Sequence, residues 1–74
     1  MKFGQADKVS NLLAYKGYTA KMYTKDNQYV VSVFGNEGQE REIRNAIPMV
    51  WWWFYWLHAQ TIHEPDNKII VEFY

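Results

Sequence analysis

The sequence predicts a small α+β domain: an antiparallel sheet of three or four strands with two helices on one face, in ferredoxin-like (β)αββαβ order. Three observations carry this expectation. Apolar residues recur at helical spacing before Gly17 and again between Ile43 and Thr61. Two segments rich in β-branched and aromatic residues flank the turn-forming Lys25-Asp26-Asn27-Gln28. A third such segment, Lys68 to Tyr74, follows a second turn at Glu64-Pro65-Asp66-Asn67.

The first helix is expected over Gln5 to Lys16. Val9, Leu12, Leu13 and Lys16 fall at i, i+3, i+4 and i+7, and the Lys16 stem can lie along the apolar edge. Asp7 suits the positive N-terminal end, and Gly17 suits a left-handed residue just past the C-terminus. Met1 to Phe3 are read as an optional short strand. The hairpin follows, as strands Tyr18–Lys25 and Gln28–Phe34. Alternation sets Tyr18, Ala20 and Met22 on one face of the first strand, and Tyr29, Val31 and Val33 on one face of the second. In the last strand Ile69, Val71 and Phe73 share a face. No internal repeat shows in the sequence.

Residues 37–62 carry two competing patterns. Ile43, Ile47, Val50, Phe54, Leu57 and Thr61 follow one another at spacings of four and three, which is a helical stripe. Pro48 interrupts it and should kink or split the helix, because proline lacks a backbone donor and clashes with the preceding turn. The rival is a long strand over residues 49–62, which Trp, Phe and Tyr favour by propensity. The stripe continues on both sides of the proline, so a helix is expected.

Composition narrows the classes of function. The chain has 74 residues, enough for a single domain over residues 1–74. Such a domain buries only about 60% of its unfolded surface and needs reinforcement. With no cysteine, disulfides and thiolate metal sites are excluded, and a reducing, cytoplasmic setting is the expectation. Aromatic packing and self-association remain, and aromatic residues make up 19% of the chain. Eight basic and eight acidic side chains cancel to a net charge of zero, which disfavours a nucleic-acid partner. The N-terminal residues lack the apolar run of a signal peptide. The longest apolar stretch, Ile47 to Leu57, is too short for a spanning helix, which needs roughly 20 residues, so the chain is not expected to be transmembrane.

The run Trp51-Trp52-Trp53-Phe54-Tyr55-Trp56 is the feature that points to function. Successive helical residues turn by about 100°, so consecutive aromatics face every direction. The stripe aims Phe54 at the core, with Trp51 and Trp53 beside it. Met49, Trp52 and Trp56 then face outward, with Tyr55 at their edge. Each aromatic carries roughly 150–250 Å² of side-chain surface, more than a monomer usually leaves exposed without a use. The expected function is therefore a non-enzymatic protein-interaction module: a small regulator, inhibitor or assembly subunit. Met49, Trp52, Tyr55 and Trp56 would bind a protein partner or a second copy, as a homodimer. Core packing of the same run is the plainer alternative.

A second expected surface is the outer sheet face, with Tyr23, Val30, Phe34, Ile70 and Tyr74. It is similar in kind to RNA-recognition domains, where sheet aromatics stack on bases. Here the strand Gln28–Phe34 lacks their glycine and flanking basic residue, so single-stranded nucleic-acid binding is the alternative function. Residues 8–47 resemble, in pattern alone, bacterial cell-wall-binding repeats of the sporulation-related type. Membrane-surface attachment would require a Lys/Arg-rich face that residues 49–62 lack.

Catalytic and cofactor chemistry finds few residues to work with. His58, His63, Glu64 and Asp66 could suggest a metal site, but the two histidines are five apart and do not share a helical face. On the expected helix His58 lies near the core side, as a packing residue. Gly35-Asn36-Glu37-Gly38 could receive an anion at a helix start, except that Glu37 and Glu40 would repel it. The acidic and basic residues of 37–44 read as a solvated face with local ion pairs. No cofactor, metal, catalytic residue or small-molecule substrate is expected.

Overall fold

Helix α1 spans Phe3–Tyr15 and presents Ala6, Val9 and Leu13, all fully buried, along one face in the computed structural model, which describes residues 1–49 and 51–74 and, at residue 53, the backbone alone. The helix ends as Gly17 predicts. Gly17 takes φ +92°, its N–H donates to the Ala14 carbonyl at 3.0 Å, and the Tyr18 N–H donates to the Leu13 carbonyl at 3.0 Å. This paired closure satisfies carbonyls that the last turn leaves open. Instead of a strand at residues 1–3, Met1 alone pairs with β2, exchanging backbone hydrogen bonds with Tyr29 at 2.8 and 3.0 Å.

Strands β1 (Thr19–Lys25) and β2 (Gln28–Asn36) form the expected hairpin. Asp26 and Asn27 join them with φ of 53° and 65°. Short polar side chains tolerate that left-handed conformation, and its twist matches the strands. Strand β4 (Lys68–Phe73) pairs antiparallel with β2, Val31 opposite Phe73 and Val33 opposite Val71.

Residues 37–62 depart from expectation. After a single 3₁₀ turn at Glu37–Gln39, helix α2 lasts only from Glu40 to Arg44. The residue before a proline is pushed out of the helical region, so Ile47 cannot continue the helix into Pro48. The aromatic run adopts one 3₁₀ turn, Trp52–Phe54, and residues Ala59–Glu64 form strand β3 on the free edge of β4. The helical stripe is thus not realised beyond α2, and the strand reading holds for its last part. Val50 of that stripe and the side chain of Trp53 lie outside the described residues.

The sheet has four antiparallel strands in the order β1-β2-β4-β3. The element order is αββαββ, which replaces the expected ferredoxin-like (β)αββαβ. The first strand gave way to α1, and the second expected helix yielded a strand. The core joins Ala6, Val9 and Leu13 with Val31, Val33, Ile43, Ala46, Ile47, Phe54, Leu57, Ile69, Val71 and Phe73. Ala20, Met22 and Tyr29 pack on it, as alternation predicted.

Two polar contacts link α2 to its surroundings. The Tyr18 hydroxyl donates to the Glu42 carboxylate, and this bond pushes the Tyr18 pKa up to about 12. Arg44 Nη1 donates to Thr61 Oγ1 at 3.2 Å. Gly35 lets α2 approach β2: a Cβ there would sit 2.7 Å from Ile43 Cδ1 and 3.0 Å from Gln39 Oε1.

Candidate functional site: an aromatic segment and an open sheet face

The segment from Trp51 to Leu57 is held by tight turns. The Trp51 N–H donates to the Pro48 carbonyl at 3.0 Å, Phe54 N–H to Trp51 at 2.9 Å, and Leu57 N–H to Phe54 at 3.1 Å. Phe54 and Leu57 are buried and anchor it to the core. Around these anchors four described side chains project outward. Trp51 is 61% exposed, Trp52 73%, Tyr55 62% and Trp56 77%. Tyr55 and Trp56 meet edge to face, with ring centroids 5.0 Å apart and planes at 90°.

The predicted binding residues divide accordingly. Trp52, Tyr55 and Trp56 come together on the surface, whereas Met49 is half-buried and packs on the core. Trp51, expected beside Phe54 and mostly hidden, is instead exposed. Helical angles do not apply to a segment in tight turns, so the placement drawn from them fails there. Next to Trp51 runs a groove of ≈ 480 Å³, lined by Lys8, Leu12, Lys16, Asn45, Ala46, Pro48, Trp51 and Phe54. Nothing in the sequence marks Lys8 and Leu12 as neighbours of the aromatic run, because the contact is made across the fold.

The outer sheet face presents the second candidate set. Phe34 pairs with Ile70, and Ile70 with Ile62, so one apolar row crosses β2, β4 and β3. Phe34, Ile62, Tyr23 and Tyr74 are exposed, Ile70 is half-buried, and Val30, opposite Tyr23, is buried. Ile62 also belongs to this face, which the helix expected over residues 37–62 does not show.

A carboxylate sits in the middle of this face. Glu72 is buried, and its Oε2 accepts from the Tyr23 hydroxyl while Oε1 accepts from Gln60 Nε2 at 2.9 Å. The Tyr23 bond above all, then the Gln60 bond, holds the Glu72 carboxyl below its usual range. Burial opposes them and the Lys25 charge assists. The same bond raises the Tyr23 phenol, against a lowering contribution from Ser32. Glu72 therefore carries a fixed negative charge at neutral pH, and Lys21 and Lys25 of β1 share the face with it.

The histidines lie apart from any such cluster. His58, expected to pack near the core, is exposed before β3, stacked on Tyr74 with ring centroids 5.5 Å apart. His63 Nδ1 lies 3.9 Å from Glu37 Oε1 at the surface. Among the described residues no three metal-binding side chains converge, and no helix is long and apolar enough to cross a membrane. Comparison with protein-family models, with curated proteins and with solved structures gives no match for this chain.

Proposed function

We propose that this chain is a non-enzymatic protein-interaction module, a small regulator, inhibitor or assembly subunit, that docks through Trp51, Trp52, Tyr55 and Trp56. The carrying observation is the exposure of all four aromatic side chains within one segment that the core anchors at Phe54 and Leu57. Trp and Tyr combine large apolar area with few rotatable bonds, which is why they dominate binding energy at interfaces. Tight turns hold their backbone, so part of the ordering cost of binding is met before the partner arrives. In this reading both helices shelter the Val31–Val33 face of the sheet, and the module works inside the cell.

Pull-down from the native host with the wild-type chain and a Trp52→Ala, Trp56→Ala double variant tests the proposal, alongside sedimentation across a concentration series. The double variant should lose the partner, or the dimer, with its circular dichroism unchanged. Retained binding, or an unfolded double variant, overturns the proposal.

A second reading is single-stranded nucleic-acid binding on the sheet face, favoured by the exposed rings of Tyr23, Phe34 and Tyr74. The chain has no basic excess to neutralise phosphates, so this reading ranks second. A salt-sensitive mobility shift with oligothymidine would promote it.

A further inference from the structure

We infer that the groove between α1 and the aromatic segment binds an acidic, apolar polypeptide segment. Apolar side chains would seat on Leu12, Ala46 and Phe54, and flanking carboxylates would meet Lys8 and Lys16. This rests on the interaction-module reading and specifies the chemistry of the partner.

The lining supports it first by composition. Leu12, Ala46, Pro48, Trp51 and Phe54 make the walls apolar, and the ionisable side chains among the described lining residues are Lys8 and Lys16. The chain as a whole carries no net charge, so this groove is locally cationic against a neutral background. A complementary surface must bring apolar groups for the centre and negative charge for the rim.

Spacing sharpens the partner further. Lys8 and Leu12 on α1 and Lys16 at its C-cap follow one another at i+4, so an apolar side chain lies between two cations. At 1.5 Å per residue the two lysine Cα atoms are about 12 Å apart. In an extended partner, at about 3.3 Å per residue, two carboxylates about four residues apart span that distance. Residues i, i+2 and i+4 of a strand share a face, so an acidic–x–apolar–x–acidic pattern points all three side chains into the groove. A helical partner would need acidic residues about eight apart.

Shape favours a polypeptide over a membrane. The groove is an open recess of ≈ 480 Å³ between α1 and the segment that starts at Pro48. Several side chains of one polypeptide segment can occupy such a recess. A bilayer surface is engaged instead by groups that protrude into it.

Fluorescence anisotropy of the intact chain with labelled synthetic peptides tests this. One probe carries Glu-Ala-Leu-Ala-Glu, and a second carries its two glutamates at helical spacing around leucine. The controls replace both glutamates with lysine. At least one acidic peptide should bind about tenfold tighter than its lysine counterpart, and added salt should weaken that preference. Lys8→Glu with Lys16→Glu should reverse the order. Should that variant unfold, Lys8→Gln with Lys16→Gln should abolish the preference.

Equal binding of acidic and basic peptides overturns the proposal, as does a preference that survives these substitutions. Binding only to phosphatidylcholine–phosphatidylglycerol vesicles also overturns it, and reassigns the lysines to a lipid surface. If the peptides fail while Trp52→Ala, Trp56→Ala still costs a native partner, the groove assignment falls and the interaction module stands.

Discussion

The two halves of this chain run through the same elements, helix, strand, strand, yet they cover the sheet by different means. In the first half α1 is 13 residues long and supplies Ala6, Val9 and Leu13 to the core. In the second, α2 has five residues and buries Ile43, and the connecting segment adds Ala46, Ile47, Phe54 and Leu57. The hairpins are more alike. Each turns through an Asp-Asn pair with positive φ, Asp26-Asn27 and Asp66-Asn67, and the second strand of each meets the other at the centre of the sheet. The difference lies in how side chains are sorted. A regular helix separates its faces, so α1 sends Ala6, Val9 and Leu13 in and its charged residues out, with Phe3 and Tyr15 exposed at its two ends. The irregular segment after Pro48 cannot do this for consecutive aromatics. Phe54 and Leu57 reach the core, and Trp51, Trp52, Tyr55 and Trp56 are left outside.

Core truncation in the well-sorted half should have the largest effect. Leu13→Ala removes a fully buried side chain and should cost about 2–5 kcal/mol in urea unfolding. A loss below about 1 kcal/mol would show that α1 is not the dominant cover and would break the comparison. Next comes the joint between the halves. Gly35→Ala places a methyl group 2.7 Å from Ile43 Cδ1, and the required repacking should cost about 1–3 kcal/mol by the same measurement.

The sheet's outer face gives a smaller, pH-dependent effect. Because the folded Glu72 carboxyl titrates below its usual value, its contribution is present above the ordinary carboxylate range, about 4.3 for Glu, and is lost as pH falls through the folded value. Tyr23→Phe removes the main donor to it. Stability at neutral pH should drop by about 1–2 kcal/mol, and the acid limb of a stability–pH curve should become shallower. The smallest effect is expected on the exposed segment. Trp52→Ala and Trp56→Ala should each shift unfolding by no more than about 0.5 kcal/mol, since each side chain is largely in solvent. A larger loss would make them part of the fold and remove the ground for assigning them to a partner.

Most of the first half is legible in the sequence because its signals are local. The Val9–Leu13 spacing, the Gly17 stop and the Asp26-Asn27 turn each act within a few residues, and α1, β1 and β2 follow them. The sheet alternation at Val31, Val33, Val71 and Phe73 is equally direct. Around Pro48 the local signals conflict. Periodicity asks for a helix, proline forbids its continuation, and Thr61 and Ile62 fit a strand that β4 was free to accept. The repeated αββ order is invisible in the sequence because the two halves share topology without sharing residues.

The candidate site divides in the same way. An aromatic surplus at Trp51–Trp56 can be read directly from composition and spacing, and so can the presence of Tyr23, Phe34 and Tyr74 on one sheet face. Which aromatics are exposed was decided only by the tertiary structure, since it depends on Phe54 and Leu57 anchoring a segment without helical order. Met49 turned toward the core and Trp51 away from it for that reason. The groove needed Lys8, Leu12 and Lys16 brought against Pro48, Trp51 and Phe54, residues more than thirty positions away in the chain. Local pattern sets which side chains must be hidden or shown, but a contact between distant segments exists only once the chain has closed on itself.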